Sequence, residues 1–340
     1  MEKAAVSKHQ KTLPEQEHLE ARKKMMSLSA EEVPLQFREQ FIISGYRRPY
    51  ASARDCIKSA FGPYNETLNF WTHFVPFLLF SARFVWTFHR DGIDLYRLPL
   101  VSFALGICGF LLMSSCAHLF NSMSPRIRHC CFFCDYSAIS VYSVGAGLSF
   151  YFYSRPIGVG VFPPPKVYIT GSILISLLST TLCCASRHRW ANYKYAIRTG
   201  SFVLAFLYNC LPHFYRFIIE GADKLDPVAM SYFKRHTVFY LIAAVANTTR
   251  IPERLIPGVF DVIGHSHNFL HIFTALGVAD QYTAMELEMI HREPILKHLH
   301  VDVYSKSLNL MICALLANIG IVVLFGVRLK SNKEEEHKIL

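Results

Sequence analysis

The feature that most constrains this chain is a recurrence, from residue 70 onward, of apolar stretches near the length of a membrane-crossing helix, separated by short polar links. Eight can be drawn, at 70–88, 99–120, 136–153, 166–186, 200–219, 236–251, 263–283 and 307–328. They are too long for tilted barrel strands and lack a period of two, so only helices can satisfy their backbone in hydrocarbon. The expected fold is an all-α, polytopic membrane bundle over 70–328. The stretch 236–251 is the shortest and, with Ala243, Ala244 and Ala246, reads as a helix packed inside the bundle. Ahead of the bundle, residues 1–32 are polar, with little to bury, and read as a disordered tail. Residues 33–69 mix Phe37, Phe41, Ile42, Ile43, Tyr46 and Ile57 with charges, a membrane-proximal segment lying on the inner leaflet or docked under the bundle. Gly45 and Pro49 interrupt it, and residues 329–340 form a charged tail.

Composition supports this reading. Charged residues make up 18% of the chain, below the roughly 25% of soluble domains, and mean hydropathy is +0.24, which together exclude an ordinary soluble enzyme. The net charge of +10 has no basic stripe interleaved with aromatics, so nucleic acid is not an expected partner. In a membrane protein the same excess orients the loops: Lys and Arg are richer on the amino-terminal side, and no signal-like apolar run precedes residue 60, so both termini are expected in the cytosol. The sequons at Asn65 and Asn247 then fall on the cytosolic side, without sugar. Cys130, Cys131, Cys134, Cys183 and Cys184 gather at cytosolic helix ends, as small apolar residues or as palmitoylation sites.

Ionisable groups inside a bilayer are costly and ask for a reason. Glu66, Asn69 and His73 share one face at the entrance to the first span; Ser114 and His118 lie near the end of the second, with Asp135 opening the third. His267 and His271, an i,i+4 pair, open the seventh. An even number of crossings separates these positions, so all fall in one leaflet. His118 can therefore join His267 and His271 in a three-histidine zinc site with an open fourth position. Asp135 stands ready to orient a ligand or handle a proton, and Ser114 to hydrogen-bond beside it. The same residues also have a plain structural use, since histidines hydrogen-bond between helices and Asp135 can cap the third span. His129 with Cys130, Cys131 and Cys134 forms a rival, irregular metal set. Asn209 and His213, near Pro212 in the fifth span, are candidate polar anchors for a ligand, while Arg83 and Arg216 sit where they can snorkel.

Several stretches carry a resemblance: Gly45-Tyr46-Arg47-Arg48-Pro49, Asn65 to Phe74, Ser114 to His129, Cys134-Asp135-Tyr136, Leu211 to Arg216, and Pro252 to Leu255 followed by Phe260 to His271. Together the chain resembles the progestin and adipoQ receptor family, and within it the progestin branch. The resemblance implies a seven-helix core like that of adiponectin receptors, inverted relative to rhodopsin-type receptors, plus an eighth transmembrane helix. It implies Zn2+ on His118, His267 and His271, with Asp135 and Ser114 at matching positions; Asn268 departs from the family's usual Gln. It further implies a plasma-membrane, steroid-binding (progestin) receptor for rapid non-genomic signal transduction through a G protein or adaptor. A ceramidase-like, zinc-dependent lipid amide hydrolase and a purely structural zinc are the alternatives.

Overall fold

A computed structural model describes residues 27–157, 162–187, 189–297, 299 and 304–329. Most of the expected tails, 1–26 and 330–340, lies outside the described residues. A short helix, α1 (Ala53–Ser59), precedes eight long ones: α2 (Thr67–Asp91), α3 (Leu98–Phe120), α4 (Pro125–Ser154), α5 (Pro165–Ala185), α6 (Lys194–Glu220), α7 (Pro227–Thr249), α8 (Ser266–Leu296) and α9 (Ser307–Arg328). Their starts are written in the sequence. Ser124 and Asp226 accept from the backbone N–H groups of Ile127 and Ala229, and proline occupies the first turn of α3, α4, α5 and α7, where its missing N–H costs nothing.

Five helical segments, Leu95–Phe120, Pro125–Ser154, Pro165–Ala185, Lys194–Glu220 and Ser307–Arg328, are both long and apolar enough to cross a membrane. The other long helices, α2, α7 and α8, carry more charge, yet at about 1.5 Å per residue each is also long enough for roughly 30 Å of hydrocarbon. The chain is thus an all-helical, polytopic membrane protein. At its centre α4 packs on α3, α5, α6, α8 and α9, and is buried along almost its whole length from Tyr136 to Ser154. Gly145 allows the closest approach: a Cβ there would meet the Phe103 Cα and the Ser102 carbonyl at 2.9 Å. The last helix, α9, lies outermost on α4 and α5, anchored by Asn318, whose Oδ1 accepts from Thr180 (2.5 Å) and whose Nδ2 donates to Ser176 (3.0 Å).

Three expectations change, and one alternative is chosen. The stretch 236–251 belongs to a helix of 23 residues that is not interior: Val238, Leu241, Ile242 and Val245 form an exposed stripe at i, i+3, i+4 and i+7. The third span begins at Pro125, so Asp135 lies in its third turn and caps nothing. Arg216 does not snorkel; it is buried and paired with Glu288 (2.5 Å) and Glu220 (2.9 Å), while Arg83 meets Glu286 at 2.6 Å. The amino-terminal segment docks under the bundle. Val33, Ile42 and Tyr46 form a small core of their own, Leu28 pairs with Tyr46, and Arg128 of α4 pairs with Glu39.

Candidate metal centre

The three histidines meet. The last two turns of α3 carry His118 and the first two of α8 carry His267 and His271, and their ligand atoms lie within 4.8 Å of one another. Nε2 of His267 is 3.2 Å from Nε2 of both His118 and His271. Four ligands held tetrahedrally at the usual Zn–N distance would stand about 3.3 Å apart, so these spacings fit zinc. Proton placement points the same way. His118 Nδ1 faces the Glu66 carboxylate at 2.6 Å and His271 Nδ1 faces the Asn69 carbonyl at 3.0 Å, both acceptors. Each must therefore donate from Nδ1, which leaves its Nε2 lone pair aimed at the common centre.

A polar scaffold fixes this arrangement. Glu66, just ahead of α2, also accepts from Asn69 (2.9 Å) and Asn121 (2.8 Å). Arg47 donates to the His118 and Leu119 carbonyls and to Asn121, satisfying the end of α3. The start of α8 is held by Glu253, which accepts from the Ser266 backbone (2.7 Å) and hydroxyl (2.5 Å) and pairs with Arg250. Asn268 donates to Asn69 at 2.7 Å, so its shorter side chain still bridges α8 to α2. His73 stacks on His271 with 3.8 Å between ring centroids. Arg47, Asn121, Arg250 and Glu253 are contributors that spacing alone did not single out, although Arg47, Asn121 and Glu253 lie within the resembling stretches.

Asp135 and Ser114 face the same space. Asp135 is buried, interacts with the Ser114 hydroxyl, and has one carboxylate oxygen without a hydrogen-bond partner among the described residues. Both line a cavity of ≈880 Å3 that also takes in the three histidines, Glu66, Asn69 and His73. Away from the histidines its wall is largely apolar, with Phe110, Ile139, Phe202 and Phe206, and includes Tyr142, Tyr240 and Gln281, whose polar ends hydrogen-bond to one another. Val203, Leu207 and Leu241 line it while exposed on the outer surface of α6 and α7, giving a sideways path for apolar molecules. Asn209 reaches the wall, though its amide is engaged by Ser143 and Ser172. His213 does not line it; the ring lies against Phe233 and bonds Ser154.

The rival set does not assemble. His129 Nδ1 accepts from Arg187 at 3.0 Å, and the only convergent group of histidine, cysteine or carboxylate ligands among the described residues is the three-histidine one. The ten cysteines are free, with Cys183 and Cys184 fully buried as small apolar residues.

Comparison with known proteins agrees with this architecture. Residues 61–282 match the family described as haemolysin-III related. The chain is 33% identical over 317 residues to membrane progestin receptor gamma of Homo sapiens, an alignment covering 91% of this chain and 96% of that protein. It is 35% identical over 336 residues to membrane progestin receptor gamma-A of Danio rerio, covering 90% and 95% respectively. Against membrane progestin receptor delta of Mus musculus it is 39% identical over 273 residues, covering 77% and 78%. With helices, motifs and matches in register, the chain belongs to the haemolysin-III-related, progestin and adipoQ receptor, family.

Proposed function

We propose that this chain is a plasma-membrane receptor for a progestin-type steroid, signalling rapidly and without transcription, with both termini in the cytosol and zinc on His118, His267 and His271. The observation that carries the reading is the cavity. Its ≈880 Å3 falls in the range of about 300–1,000 Å3 used for small molecules, its wall is mostly apolar, and a few polar groups converge on it. The relatives' names supply the ligand class. A G protein or adaptor would read the state of the bundle from the cytosolic helix ends. The test is saturable binding of labelled progesterone to purified full-length protein, with His118→Ala weakening it only in step with thermal stability. Folded, zinc-loaded protein that binds no progestin contradicts the proposal.

Asp135 favours a second reading, a hydrolase of lipid amides. It lines the cavity together with the histidines and keeps one oxygen without a partner among the described residues, a group suited to taking a proton from an attacking water. His118, His267 and His271 would hold the zinc, which would supply Lewis-acid polarisation of a substrate carbonyl. Ser114 steadies the carboxylate, and the closed polar scaffold around Glu66 keeps the histidines oriented. Under this reading Asp135→Ala abolishes fatty-acid release from ceramide while the protein keeps its zinc. Unchanged release by the variant, or none by wild type, rules it out and leaves zinc as a clamp between α3 and α8.

A further inference from the structure

Three cations in the cavity wall have no use in the metal centre. Arg187, Lys194 and Arg198, from the α5–α6 connection and the start of α6, all line the cavity and are all half-buried. Among the described residues none of the three makes an ion pair with a carboxylate, whereas Arg128 has Glu39 and Arg250 has Glu253. They are held in place by aromatic rings and neutral acceptors instead, Arg187 donating to His129 (3.0 Å) and Arg198 to the Ser186 hydroxyl (2.9 Å). The Arg187 guanidinium lies 4.5 Å from the Phe132 centroid and donates to the Tyr136 hydroxyl, Arg198 lies 5.0 Å from the Tyr136 centroid, and Lys194 lies 4.9 Å from that of Tyr195. The Tyr195 hydroxyl, also in the wall, is buried and has no hydrogen-bond partner among the described residues. Among the described residues no side chain caps α6, and its first turn carries no acid.

Cations that serve only to orient loops extend toward water and lipid headgroups, and have no need to line a cavity wall. The carboxylates of the cavity wall are engaged elsewhere: Glu39 pairs with Arg128, Glu66 accepts from His118, Asn69 and Asn121, and Asp135 interacts with Ser114. What the three cations lack, among the described residues, is a carboxylate in direct contact, and much of the wall beside them is apolar. We propose that this end of the cavity is a headgroup subsite for an anionic amphiphile, in which Arg187, Lys194 and Arg198 hold a phosphate or sulfate while the hydrocarbon runs past the histidines into the apolar interior. Guanidinium groups suit the planar, multidentate contacts that such oxyanions make. The subsite depends on the cavity holding a ligand but not on that ligand being a progestin.

The test uses full-length protein in nanodiscs of phosphatidylcholine. Binding of oleoyl lysophosphatidate is compared with monooleoylglycerol, which has the same chain and no phosphate, and with glycerol phosphate, which has no chain. The lysophosphatidate should bind at least about tenfold more tightly than either, the effect of one charge-assisted contact. The combined substitution Arg187→Gln, Lys194→Gln and Arg198→Gln should erase that preference and leave monooleoylglycerol binding intact, which also reports that the cavity has folded. Arg126→Gln, an exposed cation outside the cavity wall, should change nothing. A second readout needs no variant: raising salt from about 50 to about 500 mM should reduce the preference in wild type, because the headgroup contact is only partly buried. A matching preference for pregnenolone sulfate over pregnenolone assigns the hydrocarbon to a steroid, and its absence assigns it to an acyl chain. The proposal is overturned if wild type shows no preference, if glycerol phosphate binds as well as the lipid, or if the triple variant keeps the preference. Loss of progesterone binding with the phosphate preference retained would remove the receptor reading alone.

Discussion

Replacing Glu66 by Gln changes little in volume and should cost the three-histidine site much of its hold on zinc. The carboxylate accepts three hydrogen bonds, from His118 Nδ1 (2.6 Å) and Asn69 (2.9 Å) on one oxygen and from Asn121 (2.8 Å) on the other. A glutamine has a single acceptor oxygen. If it faces His118, its amide confronts the Asn121 amide, and Asn121 is not free to turn because its own oxygen accepts from Arg47 at 2.6 Å. If it faces Asn121, the amide confronts His118 Nδ1, which must then become an acceptor and carry its proton on Nε2, where the metal needs a lone pair. Either way a charged partner of a ligand histidine is lost, a change that costs about 10–100-fold in metal affinity. That corresponds to about 1.4–2.7 kcal/mol. Competition of the purified variant against a chromophoric chelator measures it, with a melting curve to confirm folding. Asn318→Leu, a buried polar change at α9, serves as the control that lowers stability without touching zinc. A folded Glu66→Gln protein with wild-type zinc affinity would refute the link between Glu66 and the metal.

Other substitutions probe the frame around the site. Arg47→Gln removes charged donors from the His118 and Leu119 carbonyls, and should cost about 3 kcal/mol of stability by thermal unfolding in detergent. Gly145→Ala drives a methyl into the Phe103 and Ser102 backbone at 2.9 Å, where neither helix can yield cheaply, and should cost about 1–3 kcal/mol in the same assay. At Glu39, partial burial pushes the carboxyl up, but Arg128, with Lys194, more than offsets it and leaves the group below its ordinary value. Its contribution to docking the amino-terminal segment is therefore full above the unfolded pKa of about 4.3 and fades as pH falls from there through the folded value. Hydrogen exchange over residues 28–46 should quicken only in that acid range, and a loss centred near neutrality would contradict the assignment.

The site was legible in the sequence to the extent that helix geometry carries it. His267 and His271 follow from an i,i+4 spacing, and His118 joins them because an even number of crossings returns the chain to the same leaflet. Glu66, Asn69 and His73 follow from a shared helix face, and all three touch the ligand histidines. Spacing is silent where the partner is a backbone carbonyl far along the chain: Arg47 reaches His118 across 71 positions, and nothing in either neighbourhood encodes that contact. The reading of Asp135 as a cap failed because the start of α4 is set by the Ser124 cap and the first-turn Pro125, in a stretch too charged to register as a span. The small residues of α7 gave the wrong location for a similar reason. Ala243 does face inward, but the exposed stripe from Val238 to Val245 is as apolar as a core face, and in lipid apolarity no longer tells inside from outside. Arg187, Lys194 and Arg198 were visible only as positive charge that orients loops; their place in a cavity wall needed the fold.

The central claim is that His118, His267 and His271 hold one metal ion between α3 and α8. Its most direct measurement is metal analysis of purified, detergent-solubilised protein, wild type beside the combined His118→Ala, His267→Ala and His271→Ala variant. The account predicts one zinc per chain in wild type and none in the variant. Wild-type protein without stoichiometric zinc, or a variant that retains it, would contradict the account.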